Sequence, residues 1–273
     1  MSRERVIVSI GEALLAERGG QIEAGGLALA YATQAAVAGF RGAAVSRVGQ
    51  DAAGDQLLGL ARERGIDVEH VQTDPDLPTG RLITRALAGR TNSTLTAHAA
   101  FDNLQWDFDM VDLAQRAEAV IFGQLARRNG QTKSVIKQFL LECGSGGAAL
   151  RVFDLTNRAG EALDRAEVAT GLEFCEVLVS DERGLSSLVP GSAGDSPRAA
   201  RELLRSTGVR IVVLCMRKDQ SQRLSAFTRD ETADASEESP VSAHEATMMR
   251  LIASLLDGQP LAASVRVGSR AAS

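Results

Sequence analysis

Aromatic residues are scarce. One Trp, one Tyr and eight Phe make up 4% of the 273 residues. A core with so few rings is filled by Ala, Leu and Val, which suits helices packed on a parallel sheet. Cysteine is scarce too. Cys143, Cys175 and Cys215 lie far apart, without metal-type spacing, each in or beside an apolar segment. They read as small core residues and argue against a disulfide framework or a thiolate metal site. Long apolar runs are missing. No stretch approaches the roughly 20 residues that span a bilayer, and Met1 to Ile10 lacks a signal-type apolar core, so the expected location is the cytoplasm and no membrane partner is expected. Basic blocks are missing as well. The 30 basic and 35 acidic residues are interspersed, for a net charge of −5, which leaves nucleic-acid binding without electrostatic support. No G-x-x-x-x-G-K-[ST], nucleophile elbow or H-E-x-x-H occurs.

What the sequence does have is alternation. Val6 to Ile10 is a short apolar run ending at Gly11, which predicts a buried parallel strand. Gly25-Gly26 opens an Ala-rich helix over Leu27–Ala38. A strand follows at Ala43–Gly49, then Asp51 as the N-cap of a helix to about Arg64, stopped by Gly65, and a strand at Val68–Val71. Arg81–Ala88 and Thr94–Ala100, rich in Thr and Leu around Gly89-Arg90-Thr91-Asn92, predict a hairpin standing off the main sheet. Further strands are expected at Ala119–Phe122, Leu150–Phe153, Val177–Val179 and Ile211–Cys215. Helices are expected at Gln131–Glu142, Gly160–Ala169, Pro197–Ser206 and Ala243–Leu256. The acidic Asp230–Ser239 reads as an exposed loop, and the chain from Gln259 as a weak helix or frayed tail. Strands alternating with helices predict one α/β domain over residues 1–273, with ligands outside the carboxyl ends of the strands.

Several motifs fall in order along this pattern. Ser46-Arg47-Val48-Gly49-Gln50-Asp51-Ala52-Ala53-Gly54 is followed by Gly65-Ile66-Asp67-Val68 and by Pro78-Thr79-Gly80. Together with Gly25-Gly26 before the Ala-rich helix, they resemble the PfkB/ribokinase-like carbohydrate kinases. The resemblance implies a ribokinase-like three-layer α/β/α fold, a central mostly parallel sheet with a small, reduced β-lid. The lid would be the hairpin at about 81–100 plus a short segment at about 12–24. It implies phosphoryl transfer from Mg-ATP to a sugar hydroxyl, with an Asp as base and a Gly-rich helix N-terminus holding the developing charge. Homodimerisation through the lid is a further implication.

Residue by residue, the resemblance is uneven. Where the family carries G-A-G-D before its last confident helix, this chain has Ser242-Ala243-His244-Glu245. Glu245 stands for the catalytic base, and Ser242, Ala243 and His244 for the anion hole. Glycines there let bare N–H groups face a phosphate, and a His side chain crowds that concavity. Glu245 also suits the first turn of a helix for its dipole alone. The nucleotide turn T-x-G-x-x-G is replaced by Cys215-Met216-Arg217-Lys218-Asp219-Gln220, where Arg217 and Lys218 offer charge to phosphates or form a solvated turn. The N-x-x-E that organises metal falls at Ser180-Asp181-Glu182-Arg183, whose acids equally suit a helix N-terminus. On the sugar side, Asp154 and Arg158 match a D-x-N-x-R with Thr156 in place of Asn. Gly25 and Gly26 remain, Ala30 replaces an Asn, and Ala16 stands where an Asp is common. No metal site is expected at His70 or His98.

Two readings follow. In the first, the chain is a PfkB-type protein with a degenerate transfer centre that binds a sugar-like molecule or a partner without efficient turnover. In the second, it is an active, divergent fructokinase-like or 2-keto-3-deoxygluconate kinase-like enzyme using Mg-ATP, with Glu245 as base. The first is favoured because several parts of one transition-state cradle change together.

Overall fold

The computed structural model describes residues 4–87, 90–146, 149–156, 165–218, 221–237 and 244–269. It divides into two compact units, Met1–Ala149 with Asn157–Ala162, and Leu150–Thr156 with Leu163–Ser273.

The first unit begins with β1 (Val6–Ile10), every residue of which is buried, as a continuous apolar run predicts for a strand covered on both faces. There follow β2 (Leu14–Arg18), β3 (Gln21–Gly25), α1 (Leu27–Val37), β4 (Arg41–Gly49), α2 (Ala52–Glu63), β5 (Val71–Asp74), β6 (Gly80–Leu87) and β7 (Arg90–Leu95). The unit closes with α3 (Asp109–Arg116), β8 (Ala117–Gly123) and α4 (Gly130–Gly146). Strands β8, β1, β4 and β5 lie side by side and run parallel. A second sheet has the order β3-β2-β6-β7. The expected hairpin is therefore present as β6 and β7, and the short segment near residues 12–24 supplies β2 and β3 to the same sheet. Leu14 to Arg18 pairs with both β3 and β6, so the small sheet has four strands. Helix α3 has no counterpart among the sequence expectations. Its eight residues bury only Met110, Leu113 and Ala114, too short a stripe to stand out.

The motifs of this unit are tied to one another. Asp51 caps α2, with Oδ1 accepting from Gly54 N at 2.7 Å and from Thr79 Oγ1 at 2.7 Å, while Oδ2 accepts from Thr79 N at 2.9 Å. Thr79 Oγ1 in turn accepts from Gly49 N at 2.9 Å. Burial opposes the Asp51 charge, but these donors outweigh it and hold the carboxyl below its ordinary value. The glycines have steric reasons. A Cβ on Gly49 would stand 2.6 Å from Thr79 N, and one on Gly80 would stand 2.7 Å from the Phe101 ring.

The second unit contains β9 (Leu150–Asp154), α5 (Arg165–Leu172), β10 (Val177–Ser180), α6 (Glu182–Leu188), α7 (Ser196–Ser206), β11 (Ile211–Lys218), β12 (Ser221–Phe227), β13 (Thr232–Glu237), α8 (His244–Leu256) and α9 (Leu261–Ser269). Strands β9, β10 and β11 are parallel, and β12 and β13 extend them antiparallel. The fold is thus α/β, with a large, mostly parallel central sheet flanked by helices.

Two expectations are corrected here. The strand expected to stop at Cys215 continues to Lys218, because each residue from Val212 to Lys218 pairs with β12. The acidic stretch expected as a loop is β13. It is the outermost strand, buries Ala233 and exposes its neighbours, so its charges mark the solvent face of an edge rather than a loop. Of the weak helix or frayed tail expected from Gln259, the helix is present as α9, anchored by buried Leu261, Ser264, Val265 and Gly268.

Candidate functional site

Strands β9, β10 and β11 run parallel, so their carboxyl ends bring Asp154, Ser180 and Cys215 to one edge of the second unit. Asp154 is 1% exposed. Its Oδ1 accepts from Thr156 N at 2.7 Å and from Thr156 Oγ1 at 2.6 Å. Its Oδ2 lies 2.8 Å from Nε2 of His244, the first residue of α8. The same Nε2 is 2.8 Å from Thr156 Oγ1, so one N–H is shared between carboxylate and hydroxyl. Cys215 adjoins His244, and its Sγ is 3.9 Å from Met248 Sδ. Burial works against a charged imidazole, yet the Asp154 charge and hydrogen bond, with Cys215 adding to them, raise His244 well above its ordinary value. Contact with Asp154 thus favours the protonated form of the imidazole.

This arrangement places Asp154 and His244, predicted for the substrate side and the anion hole, in one hydrogen-bonded group. Glu245 follows in the first turn of α8. In sequence, Thr156 is only a departure from Asn, and Cys215 only a core residue. Their part in the group follows from the meeting of β9, β11 and α8, which sequence spacing does not display. Arg158, Ser242 and Ala243 lie outside the described residues. Arg217 and Lys218 belong to the backbone of β11, which corrects the expectation of a turn at these positions.

The residues present do not suit a magnesium site at the N-x-x-E position. Ser180 Oγ donates to the Asp181 carbonyl at 3.1 Å and packs where a Cβ on Gly184 would sit. Asp181 caps α6, accepting from Gly184 N at 2.8 Å. Arg183 puts a cation where a carboxylate would bind metal. Among the described residues no group of three or more His, Cys, Asp or Glu is placed to hold a metal ion.

In the first unit, Gly25 ends β3 and Gly26 precedes α1 with φ +88°. A Cβ on Gly26 would collide with the Glu12 carbonyl oxygen. Glu12, fully buried, accepts from Leu27 N through Oε1 at 2.9 Å and from Ala28 N through its carbonyl at 3.1 Å. The pair of glycines thus lets a buried carboxylate cap α1. Sequence reasoning misses Glu12; an acid directly after a strand-ending glycine and 15 residues before a helix start carries no local signal.

Comparison with known proteins agrees with the fold. The family model of pfkB family carbohydrate kinases matches residues 8–222. A 2-dehydro-3-deoxygluconokinase of Thermoproteus tenax is 42% identical over 50 residues, which is 18% of this chain and 15% of that kinase. Among solved structures, 2-dehydro-3-deoxygluconokinase from Thermotoga maritima has a TM-score of 0.82 at 17% identity, over 97% of this chain and 92% of that one. Fructokinase from Xylella fastidiosa has a TM-score of 0.81 at 16% identity, over 96% and 90%. A putative ribokinase II from E. coli in complex with ATP and Mg2+ has a TM-score of 0.78 at 17% identity, over 98% and 91%. By the extent of the family match, the chain belongs to the pfkB family of carbohydrate kinases.

Proposed function

We infer that this family member has a degenerate phosphoryl-transfer centre and binds a sugar-like ligand or a partner rather than turning over efficiently. The observation that carries this reading is the His244–Asp154 pair at 2.8 Å. A glycine at position 244 would leave bare N–H groups at the start of α8 for an anion. Here a side chain occupies the position, and its positive charge is spent on Asp154. The same contact engages the acid that matched the sugar-binding motif. The cation at Arg183 in place of a metal-binding carboxylate points the same way.

The second reading, an active sugar kinase with Glu245 as base, is favoured by one feature. Glu245 keeps a carboxylate in the first turn of α8. The two are separated by titrating the protein with fructose, ribose or 2-keto-3-deoxygluconate, with and without Mg-ATP. Thermal stabilisation by a sugar with no sugar-dependent ADP release supports the first reading. Sugar-dependent ADP release that Glu245→Ala abolishes overturns it.

A further inference from the structure

A concavity lies within the Leu163–Ser273 part of the chain, away from the group just described. Its cavity volume is about 420 Å³, within the range of small-ligand sites. One wall is the last two turns of α7, carrying Arg201 and Arg205 one turn apart. The other is the turn joining β12 to β13, carrying Thr228 and Arg229. The strand register puts it at the far end of the sheet from His244. Phe227 pairs with Val212, at the amino end of β11, whereas Cys215 lies towards the carboxyl end. The four steps from Ile211 to Cys215 span roughly 13 Å at about 3.3 Å per residue.

Three features distinguish this cleft from an ordinary solvated helix face. First, it gathers three guanidinium groups in a chain whose net charge is −5. Second, the arginines outnumber the acids of the cleft and are not locked to them. Asp230 and Glu231 also line the cleft, yet among the described residues no ion pair joins either carboxylate to Arg201, Arg205 or Arg229. Third, the turn is fixed. Thr228 Oγ1 accepts from Glu231 N at 3.0 Å and from Asp230 N at 3.3 Å, and Arg229 Nε donates to the Leu204 carbonyl at 3.1 Å. That last bond ties the turn to α7 and holds one guanidinium beside the other two. Guanidinium forks match the paired oxygens of a phosphate, and a preset fork loses less entropy on binding.

We propose that the Arg201–Arg205–Arg229 cleft is a binding site for a small phosphate-bearing molecule, separate from the sugar-kinase centre. Its distance from that centre suits an effector rather than a substrate. Such a ligand takes its charge from the two arginines of α7 and its orientation from the anchored Arg229.

The test uses the full chain with inorganic phosphate and pyrophosphate as probes, and citrate as a polycarboxylate of comparable charge, at constant ionic strength. Isothermal titration is run on the wild type, on Arg201→Ala/Arg205→Ala, and on Arg62→Ala, an exposed arginine of the other unit. Alanine is a better helix former than arginine, so the double variant keeps α7 intact. The expected result is pyrophosphate binding, tighter than phosphate, that weakens at least tenfold in the double variant and is unchanged in Arg62→Ala. Citrate binding as tight as pyrophosphate would reassign the site to polycarboxylates and overturn the phosphate claim. Absence of binding, or equal binding by the double variant, would overturn the site itself.

Discussion

Replacing Asp154 by Asn keeps the shape of the side chain and removes its charge. The imidazole of His244, its side chain 12% exposed, then loses the partner that raises it, while burial continues to oppose its charged form. Breaking one partner of a buried pair costs about 3–5 kcal/mol. For a chain of this size each kcal/mol shifts the melting temperature by about 2–4 °C, so the loss is roughly 6–20 °C. The pH dependence is more diagnostic than the size. A group whose folded value is raised contributes stability that is fully present below its unfolded value, about 6.5 for His, and is lost as pH rises through the folded value. The gap in stability between wild type and Asp154→Asn is therefore largest near pH 6 and narrows as pH climbs. Thermal unfolding by circular dichroism between pH 6 and 10 measures it. A gap of constant size across this range, or no gap, would refute the charged pair.

Other expectations follow from the same geometry. Asp51→Asn removes an anionic acceptor of three hydrogen bonds and costs about 1.5–3 kcal/mol for each charge-assisted bond it weakens, read from urea unfolding at pH 7. Since Asp51 is held below its ordinary value, its contribution is present above about pH 3.9 and fades as pH falls through the folded value, so the variant's deficit shrinks in acid. Gly26→Ala places a Cβ against the Glu12 carbonyl at a φ of +88° and lowers stability by on the order of 1–3 kcal/mol, measured by thermal melts. Arg128 donates to both Asp102 oxygens at 2.7 Å and to the Thr96 carbonyl at 2.9 Å. Arg128→Ala costs about 3 kcal/mol and speeds amide exchange in the segment after β7, observable by hydrogen-exchange mass spectrometry.

The fold is legible where physics acts locally. Val6–Ile10, buried throughout, reads as a strand covered on both faces. Asp51 and Gly65 mark the ends of α2, the first by an N-cap bond and the second by a φ of +71°. What is not legible is the edge of the sheet. Thr232–Glu237 is acidic because an edge strand shows one face to water, and composition alone cannot separate that from a loop. The site is half legible. Asp154 and His244 each stand out in the sequence, for different roles, and nothing in a 90-residue separation announces that they touch. Their pairing depends on β9 and α8 being brought together by the parallel sheet. Glu12 shows the same limit in the first unit, where a buried carboxylate caps a helix 15 residues away.

The most direct test of the central claim is product formation at stoichiometric enzyme. Full-length protein is incubated with Mg-ATP and 2-keto-3-deoxygluconate, fructose or ribose, and sugar phosphate is followed by phosphorus NMR, with Glu245→Ala alongside. The His244–Asp154 pair at the start of α8 predicts no sugar phosphate above the level of Glu245→Ala. Accumulation of sugar phosphate in the wild type alone would contradict it and establish a working kinase.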